Sequence, residues 1–297
     1  MPKPLVYTTL LLVLLTGLLW LPARAAPAAA PASFDAAAAY VYVPTSVRDG
    51  SRPAQVLFAL HGMGGEGKSF CQSFLNAADQ NGWIVVAPTF SYRNWQDPAI
   101  LAEDDIALTS ALADLLDALP ARIGRPLEPR AIVLGFSRGA QLAHRFAEIY
   151  PERTRAAVVI AAGTYTVPSP VDVQGQPLLF PYGTADLGKR TGRRISTKAL
   201  GAVPFWVAVG ADDVNPDDVP RQWDRLIGVT RLERARSFVR LLGDVGVSAS
   251  LTVVPGTTHD MSPPMTGGAV EFLRSLPSIR VPVQGPSIRR MLVPLTD

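Results

Sequence analysis

Cysteine is almost absent from this chain. Cys71 is the only one in 297 residues, so no intrachain disulfide can form. Histidine is nearly as scarce. His61, His144 and His259 are the complete set, so the candidates for a catalytic base are few. Charged residues make up only 18% of the chain, and no long single-sign run suits a nucleic-acid partner. After residue 21 no apolar stretch is long enough to span a bilayer. No metal or organic cofactor is expected.

Apolar residues make up 48%, which excludes a mainly disordered chain. Residues 1–25 read as a signal peptide. Lys3 precedes an apolar run from Leu5 to Leu21, and Ala23-Arg24-Ala25 fits a cleavage site. The alternative is an uncleaved N-terminal anchor. No cysteine follows the run, which argues against a lipoprotein. Cleavage after Ala25 would give a secreted or periplasmic protein with no remaining membrane span. It would remove Lys3 and Arg24, leaving 26 basic and 25 acidic residues, a net charge of +1. Near neutrality there is no electrostatic case for nucleic acid. The basic cluster Lys189, Arg190, Arg193, Arg194 reads as a solvated loop or, more sharply, as a contact for an anionic substrate. Nothing in the sequence addresses oligomeric state.

Residues 26–37 form an Ala/Pro-rich leader, flexible or extended. Residues 38–276 then alternate strand-like and helix-like stretches. "AYVYVP" (39–44) reads as an edge strand ended by proline. Apolar strands are predicted at 54–60, 83–88, 130–136, 156–162, 204–210 and 248–256. Helices are predicted at 68–81, at 99–120 with a stop at the proline, at 138–149, across roughly 217–243 and at 267–276. Cys71 falls in the first of these as a buried structural thiol. Continuous apolar strands alternating with helices imply an α/β fold, a mostly parallel central sheet with helices on both faces. Residues 163–203 break the alternation. Rich in Pro and Gly, they read as a functional insertion, a lid or substrate-side wall. Residues 277–297 form an irregular tail with a weak repeat, "PSIR" at 277–280 and 286–289.

Ligands of parallel sheets bind beyond the carboxyl ends of the strands. "HGMGG" (61–65) follows one strand, Ser137 another, Asp212 and Asp213 a third, and His259 the last. Ser137 lies in Gly135-Phe136-Ser137-Arg138-Gly139, a G-x-S-x-G pattern. By composition this pattern arises by chance in about one such chain in ten. A buried strand before it and a helix after it supply the context of a nucleophile elbow. The bland reading is a serine capping a helix. A serine hydroxyl needs a base. Of the three histidines, only His259 sits late in the chain at the sheet edge. His144, inside the helix after Ser137, is expected to pack or face outward. Asp213, with Asp212 in reserve, is expected to orient the imidazole. The acids of "GADDVNPDD" could instead form a turn or hold calcium. Tyr92, Trp95, Tyr165, Tyr182 and Trp223 are either cleft walls or ordinary packing.

"HGMGG", "GFSRG", "GADD" and "GTTHD", in this order on this strand pattern, resemble the α/β-hydrolase superfamily across nearly all of 38–276. Within it the chain is similar to secreted serine esterases of the poly(3-hydroxybutyrate) depolymerase and feruloyl esterase type. The stretches "AHRFAEIYPERTRAAVVIAAGTYTVP" and "FPYG" carry that similarity. The resemblance implies an α/β-hydrolase fold and a catalytic triad of Ser137, Asp213 and His259. It also implies an oxyanion hole from the backbone amides of Met63 and Arg138. A carboxylesterase or polyester depolymerase acting on small or polymeric esters, without a cofactor, is the expected function. The alternatives are a serine peptidase or other acyl hydrolase, or a non-catalytic binding protein on this fold.

Overall fold

The structure is a computed structural model that describes residues 31–48 and 53–277. Seven strands form its sheet: β1 (Tyr40–Tyr42), β2 (Gln55–Leu60), β3 (Trp83–Ala87), β4 (Ala131–Phe136), β5 (Thr154–Ile160), β6 (Phe205–Gly210) and β7 (Ala249–Val254). Their order is β1-β3-β2-β4-β5-β6-β7. β2 to β7 run parallel, and β1 lies antiparallel on β3 with Tyr40 opposite Ala87. β2 is apolar from Val56 to Leu60 because both of its faces are covered. Val56, Phe58 and Leu60 enter one core, while Leu57 and Ala59 enter the other. The chain leaves β2 outward to β3 and returns on the opposite side as β4. That reversal opens a crevice beyond the carboxyl ends of β2 and β4.

The helices are α1 (Thr45–Arg48), α2 (Gly67–Asn81), α3 (Pro98–Ile123), α4 (Arg138–Ile149), α5 (Leu187–Thr191), α6 (Thr197–Leu200), α7 (Asp224–Ile227), α8 (Arg231–Asp244) and α9 (Pro263–Ser275). Cys71 and Phe74 of α2 pack with Met265 and Leu273 of α9 under one face. Leu112 of α3, Phe146 of α4 and Phe238 of α8 fill the other. Burial pushes the Cys71 thiol up to about 11, so it stays protonated and inert.

Two predicted helices differ from those observed. The helix predicted to stop at Pro120 continues to Ile123. Pro120 removes one donor near the helix end, where buried Leu115, Leu116 and Leu119 hold the last turns. The actual stop is Gly124, at φ 74, whose amide donates to the Pro120 carbonyl. The helical region predicted across 217–243 is divided. Pro220 precedes a single 3-10 turn, and Gly228 (φ 113) ends α7. Thr230 and Glu233 then form a capping box that starts α8.

The predicted signal peptide and all but the first residue of the predicted tail lie outside the described residues. Of the predicted leader, residues 31–37 are packed onto the fold. Ala32 is buried and its amide donates to Asp104 Oδ1 at 2.8 Å. Phe34 meets Phe90 edge to face at 5.2 Å. Arg122 donates to the carbonyls of Ala36, Ala37 and Ala39. The insertion follows β5 as expected, and its body is anchored on α4. Thr164 and Thr166 accept hydrogen bonds from Arg145, and Tyr165, Phe180 and Leu187 are buried. Three apolar and aromatic anchors of this kind bury better against a helix than over a cleft.

Glu148 is buried in α4, and neither carboxyl oxygen has a partner among the described residues. Burial pushes its carboxyl well above the ordinary value, with Arg145 opposing only in part. An unfolded chain releases this proton near pH 4.5, whereas the folded one keeps it. The folded state therefore binds more protons above that pH, and stability falls as pH rises. The slope approaches about 1.4 kcal/mol per pH unit until the buried carboxyl itself ionises. Glu148→Gln removes the titration and keeps the shape. It should raise the unfolding midpoint at pH 8 and change it little at pH 4. Equal shifts at both values would contradict this account.

Candidate active site

Ser137 occupies the turn between β4 and α4 with φ 54 and ψ −115. Positive φ is costly for a residue with a Cβ and persists only where its surroundings enforce it. Here the Ser137 amide donates to Ile160 O of β5 at 2.8 Å. Both flanking glycines are sterically required. A Cβ on Gly135 would lie 2.2 Å from Gly139 O, and one on Gly139 would lie 2.0 Å from Leu60 O. The spacing G-x-S-x-G thus lets strand, turn and helix close on one another while the serine stands clear.

The loops after β6 and β7 are joined backbone to backbone. Ala211 N donates to Val254 O at 2.9 Å and Asp212 N to Thr257 O at 3.0 Å. Gly210 permits the approach, since a Cβ there would sit 2.1 Å from Thr257 O. This pairing brings Asp213 and His259 together. His259 Nδ1 lies 3.0 Å from Asp213 Oδ2, and His259 Nε2 lies 2.9 Å from Ser137 Oγ. The imidazole stacks on Phe136 at 5.0 Å. Asp213 is buried, whereas Asp212 is exposed and makes no contact with His259. Of the two acids weighed on sequence grounds, Asp213 is the one in place.

Burial alone would push the Asp213 carboxyl up. The hydrogen bond from His259 and the charge of Arg231 outweigh it and hold the group below its ordinary value. Arg231, on α8, donates from Nη1 to Asp213 Oδ1 at 3.0 Å and from Nη2 to Asp218 O at 2.7 Å. One carboxylate oxygen is thereby fixed while the other faces His259. Together these groups form a proton path from hydroxyl to imidazole, with an anion behind it to stabilise the cation formed.

The other two histidines share a different wiring. His61 Nδ1 lies 2.7 Å from Gly62 O, and its Nε2 accepts from Phe90 N at 2.8 Å. His144 Nδ1 lies 3.0 Å from Ala140 O, and its Nε2 accepts from Thr166 N at 3.1 Å. Each ring is a neutral crosslink, with burial holding both below the usual histidine value.

The loop "HGMGG" makes a tight turn, closed by Gly65 N to Gly62 O at 3.1 Å, with Gly64 at φ 68. Met63 and Arg138 border the same cleft as Ser137. Neither backbone amide has a hydrogen-bond partner among the described residues, so both are free to bind an oxyanion. Tyr92 braces the two. Its hydroxyl donates to His61 O at 3.1 Å, and its ring lies 4.8 Å from the Arg138 guanidinium.

The cleft holds about 290 Å³ and is walled by Met63, Trp95, Phe136, Gln141, Gly163 and Arg231 around Ser137 and His259. Of the aromatic residues considered above, Trp95 lines it. Tyr165 and Trp223 are core residues, and Tyr182 packs on Trp223 at 4.5 Å. Of the insertion, Gly163 lines the cleft. The basic cluster does not border it. Arg190 pairs with Asp186, and Arg193 pairs with Glu152 over the Tyr150 ring. Among the described residues no group of three or more His, Cys, Asp or Glu side chains is placed to hold a metal ion. No helix among them is long and apolar enough to cross a membrane.

A model of the alpha/beta hydrolase family matches residues 56–286, and the chain belongs to that family. No curated protein sequence matches it. Among solved structures, poly(aspartic acid) hydrolase-1 from Sphingomonas sp. KT-1 is similar. It superposes with a TM-score of 0.59 at 21% identity, over 80% of this chain and 92% of that one. A poly(3-hydroxybutyrate) depolymerase from Bordetella parapertussis gives 0.59 at 23% identity, over 80% and 86%. A carboxylesterase from Mesorhizobium loti gives 0.52 at 18%, over 79% and 99%. At these identities the likeness is one of fold.

Proposed function

We propose that this protein is a serine hydrolase of carboxylic esters. The observation that carries the reading is the chain Ser137 Oγ–His259 Nε2–Asp213 Oδ2, with links of 2.9 and 3.0 Å, set on a strained elbow. Ser137 Oγ attacks the ester carbonyl carbon as its proton passes to His259 Nε2. Asp213 holds the imidazole and stabilises the imidazolium. The amides of Met63 and Arg138 receive the oxyanion, and one such donor is typically worth about 3 kcal/mol. When the tetrahedral intermediate collapses, the alkoxide leaves with the proton from His259. Water then attacks the acyl-serine, delivering its proton to His259, and the acid departs as Oγ regains that proton. No step calls for a cofactor.

A fluorophosphonate probe tests the reading. It should label the wild type and fail to label Ser137→Ala. An unlabelled wild type would overturn it.

We also propose export, supported by the charge, apolar run and Ala-x-Ala layout of residues 1–25. Mature protein recovered from periplasm or medium should begin at Ala26 on N-terminal sequencing. A start at Met1 in membrane fractions would favour the anchored form.

A further inference from the structure

Gln141 stands one helical turn beyond Ser137, and its backbone amide donates to Ser137 O at 3.2 Å. Its side chain lines the cleft and is 3% exposed. Its Oε1 is buried without a partner, and its Nε2 borders Gly163. A buried acceptor left unpaired costs about 1–3 kcal/mol. Such a group in a reactive cleft is accounted for if a ligand pairs with it.

The surroundings define what that ligand offers. Gly163 leaves room beside the amide, for a Cβ there would lie 3.1 Å from Gln141 Nε2 and 3.8 Å from Arg231 Nε. Arg231 Nε is also buried and unpartnered. The charge of Arg231 is already met by Asp213 at 3.0 Å and Asp218 at 3.9 Å, so the niche has no spare charge for an anion. An amide that both donates and accepts is complementary to a neutral group that does the same.

Resting on the serine ester hydrolase reading, we infer that Gln141 is a specificity-determining residue, and that its niche beside Gly163 takes an acyl group bearing a neutral hydrogen-bonding substituent, a hydroxyl or an amide. Removing such a contact leaves polar groups of the site unpaired, which is the strong form of discrimination. Apolar acyl groups of equal size are then poorer substrates. Acyl groups ending in a carboxylate are poorer still.

The test compares p-nitrophenyl esters in pairs. Glycolate is set against propanoate, N-acetylglycinate against pentanoate, and hydrogen succinate against pentanoate. Each ratio of kcat/KM is measured in the wild type and in Gln141→Met, so intrinsic ester reactivity cancels. At least one of the first two ratios should fall about tenfold in the variant. A fall in the glycolate ratio assigns the hydroxyl, and a fall in the N-acetylglycinate ratio assigns the amide. The succinate ratio should stay low in both proteins. Because the lost amide is unpaired, the unfolding midpoint should not drop. Gly163→Ala, which crowds the same amide, should lower the same ratio. If both variants take the fluorophosphonate and the first two ratios change less than twofold, the inference is overturned and the hydrolase reading stands. If the wild type is neither labelled nor active on any of these esters, both fall.

Discussion

Ser137→Ala should lower kcat for an activated ester by about 10⁶-fold while leaving KM within a few-fold. In the proposed mechanism the hydroxyl is the attacking atom, and among the described residues the hydrogen-bond partners of the His259 ring are Ser137 Oγ and Asp213 Oδ2. Cys71 is buried in the opposite core with its thiol protonated. The oxyanion amides and the cleft survive the substitution, so a residual rate of about 10³–10⁴ over water should remain. His259→Ala should cost a similar factor, and the double variant little more, because the groups act as one unit. Stopped-flow release of p-nitrophenol reads all three. A Ser137→Ala protein within tenfold of the wild type would remove Ser137 from the mechanism.

The second large effect concerns stability. Asp105 of α3 is fully buried and receives two guanidinium groups. Arg138 Nη2 donates to Oδ1 at 2.6 Å, and Arg145 Nη1 donates to Oδ2 at 2.5 Å. Both arginines are themselves buried in α4. Asp105→Asn keeps the shape and leaves two cations facing each other without an anion. Breaking a buried ion pair from one side costs about 3–5 kcal/mol. For a domain of this size each kcal/mol moves the unfolding midpoint by about 2–4 °C, so a loss near 10 °C should appear in a thermal scan. A loss below 2 °C would mean that the cations find other partners. Arg138 also carries one of the two amides proposed to bind the oxyanion, so turnover should fall with stability in the variant, even at temperatures where it remains folded.

Strands β2 to β6 were legible in the sequence because each is a mainly apolar run with both faces covered, and such runs stand out whatever surrounds them. The elbow was legible because steric demand around Ser137 leaves a glycine at each fixed offset. Asp213 could be ranked ahead of Asp212 but not settled, since which of two adjacent side chains faces inward depends on the loop paired with Thr257. Arg231 lies 18 residues after Asp213, on α8, a distance across which spacing carries no information. Gln141 left a signal that passed unused, a polar residue four positions after the serine on the same helix face. Asp105 left a similar one, an acid among the apolar positions of α3. The split of 217–243 follows from Pro220 and Gly228, both visible in the sequence but outweighed there by helical spacing on either side. The body of the insertion was read as cleft wall because its Pro and Gly content resembles a loop. Its buried Tyr165, Phe180 and Leu187 are spaced irregularly, so no periodicity revealed them as anchors.

The short antiparallel strand at the margin of the sheet bears on how the molecule behaves in crowded solution. β1 has three residues, and Pro44 follows two positions later without a donor. A parallel sheet that ended on β3 would present five consecutive residues, Trp83–Ala87, as a template for a neighbouring chain. β1 occupies three of these five, Val85–Ala87, and offers in their place a stub too brief to recruit another strand. The margin thus works as a stopper against sheet-to-sheet aggregation, which matters most for a chain that must fold with a single thiol and no crosslink to hold it.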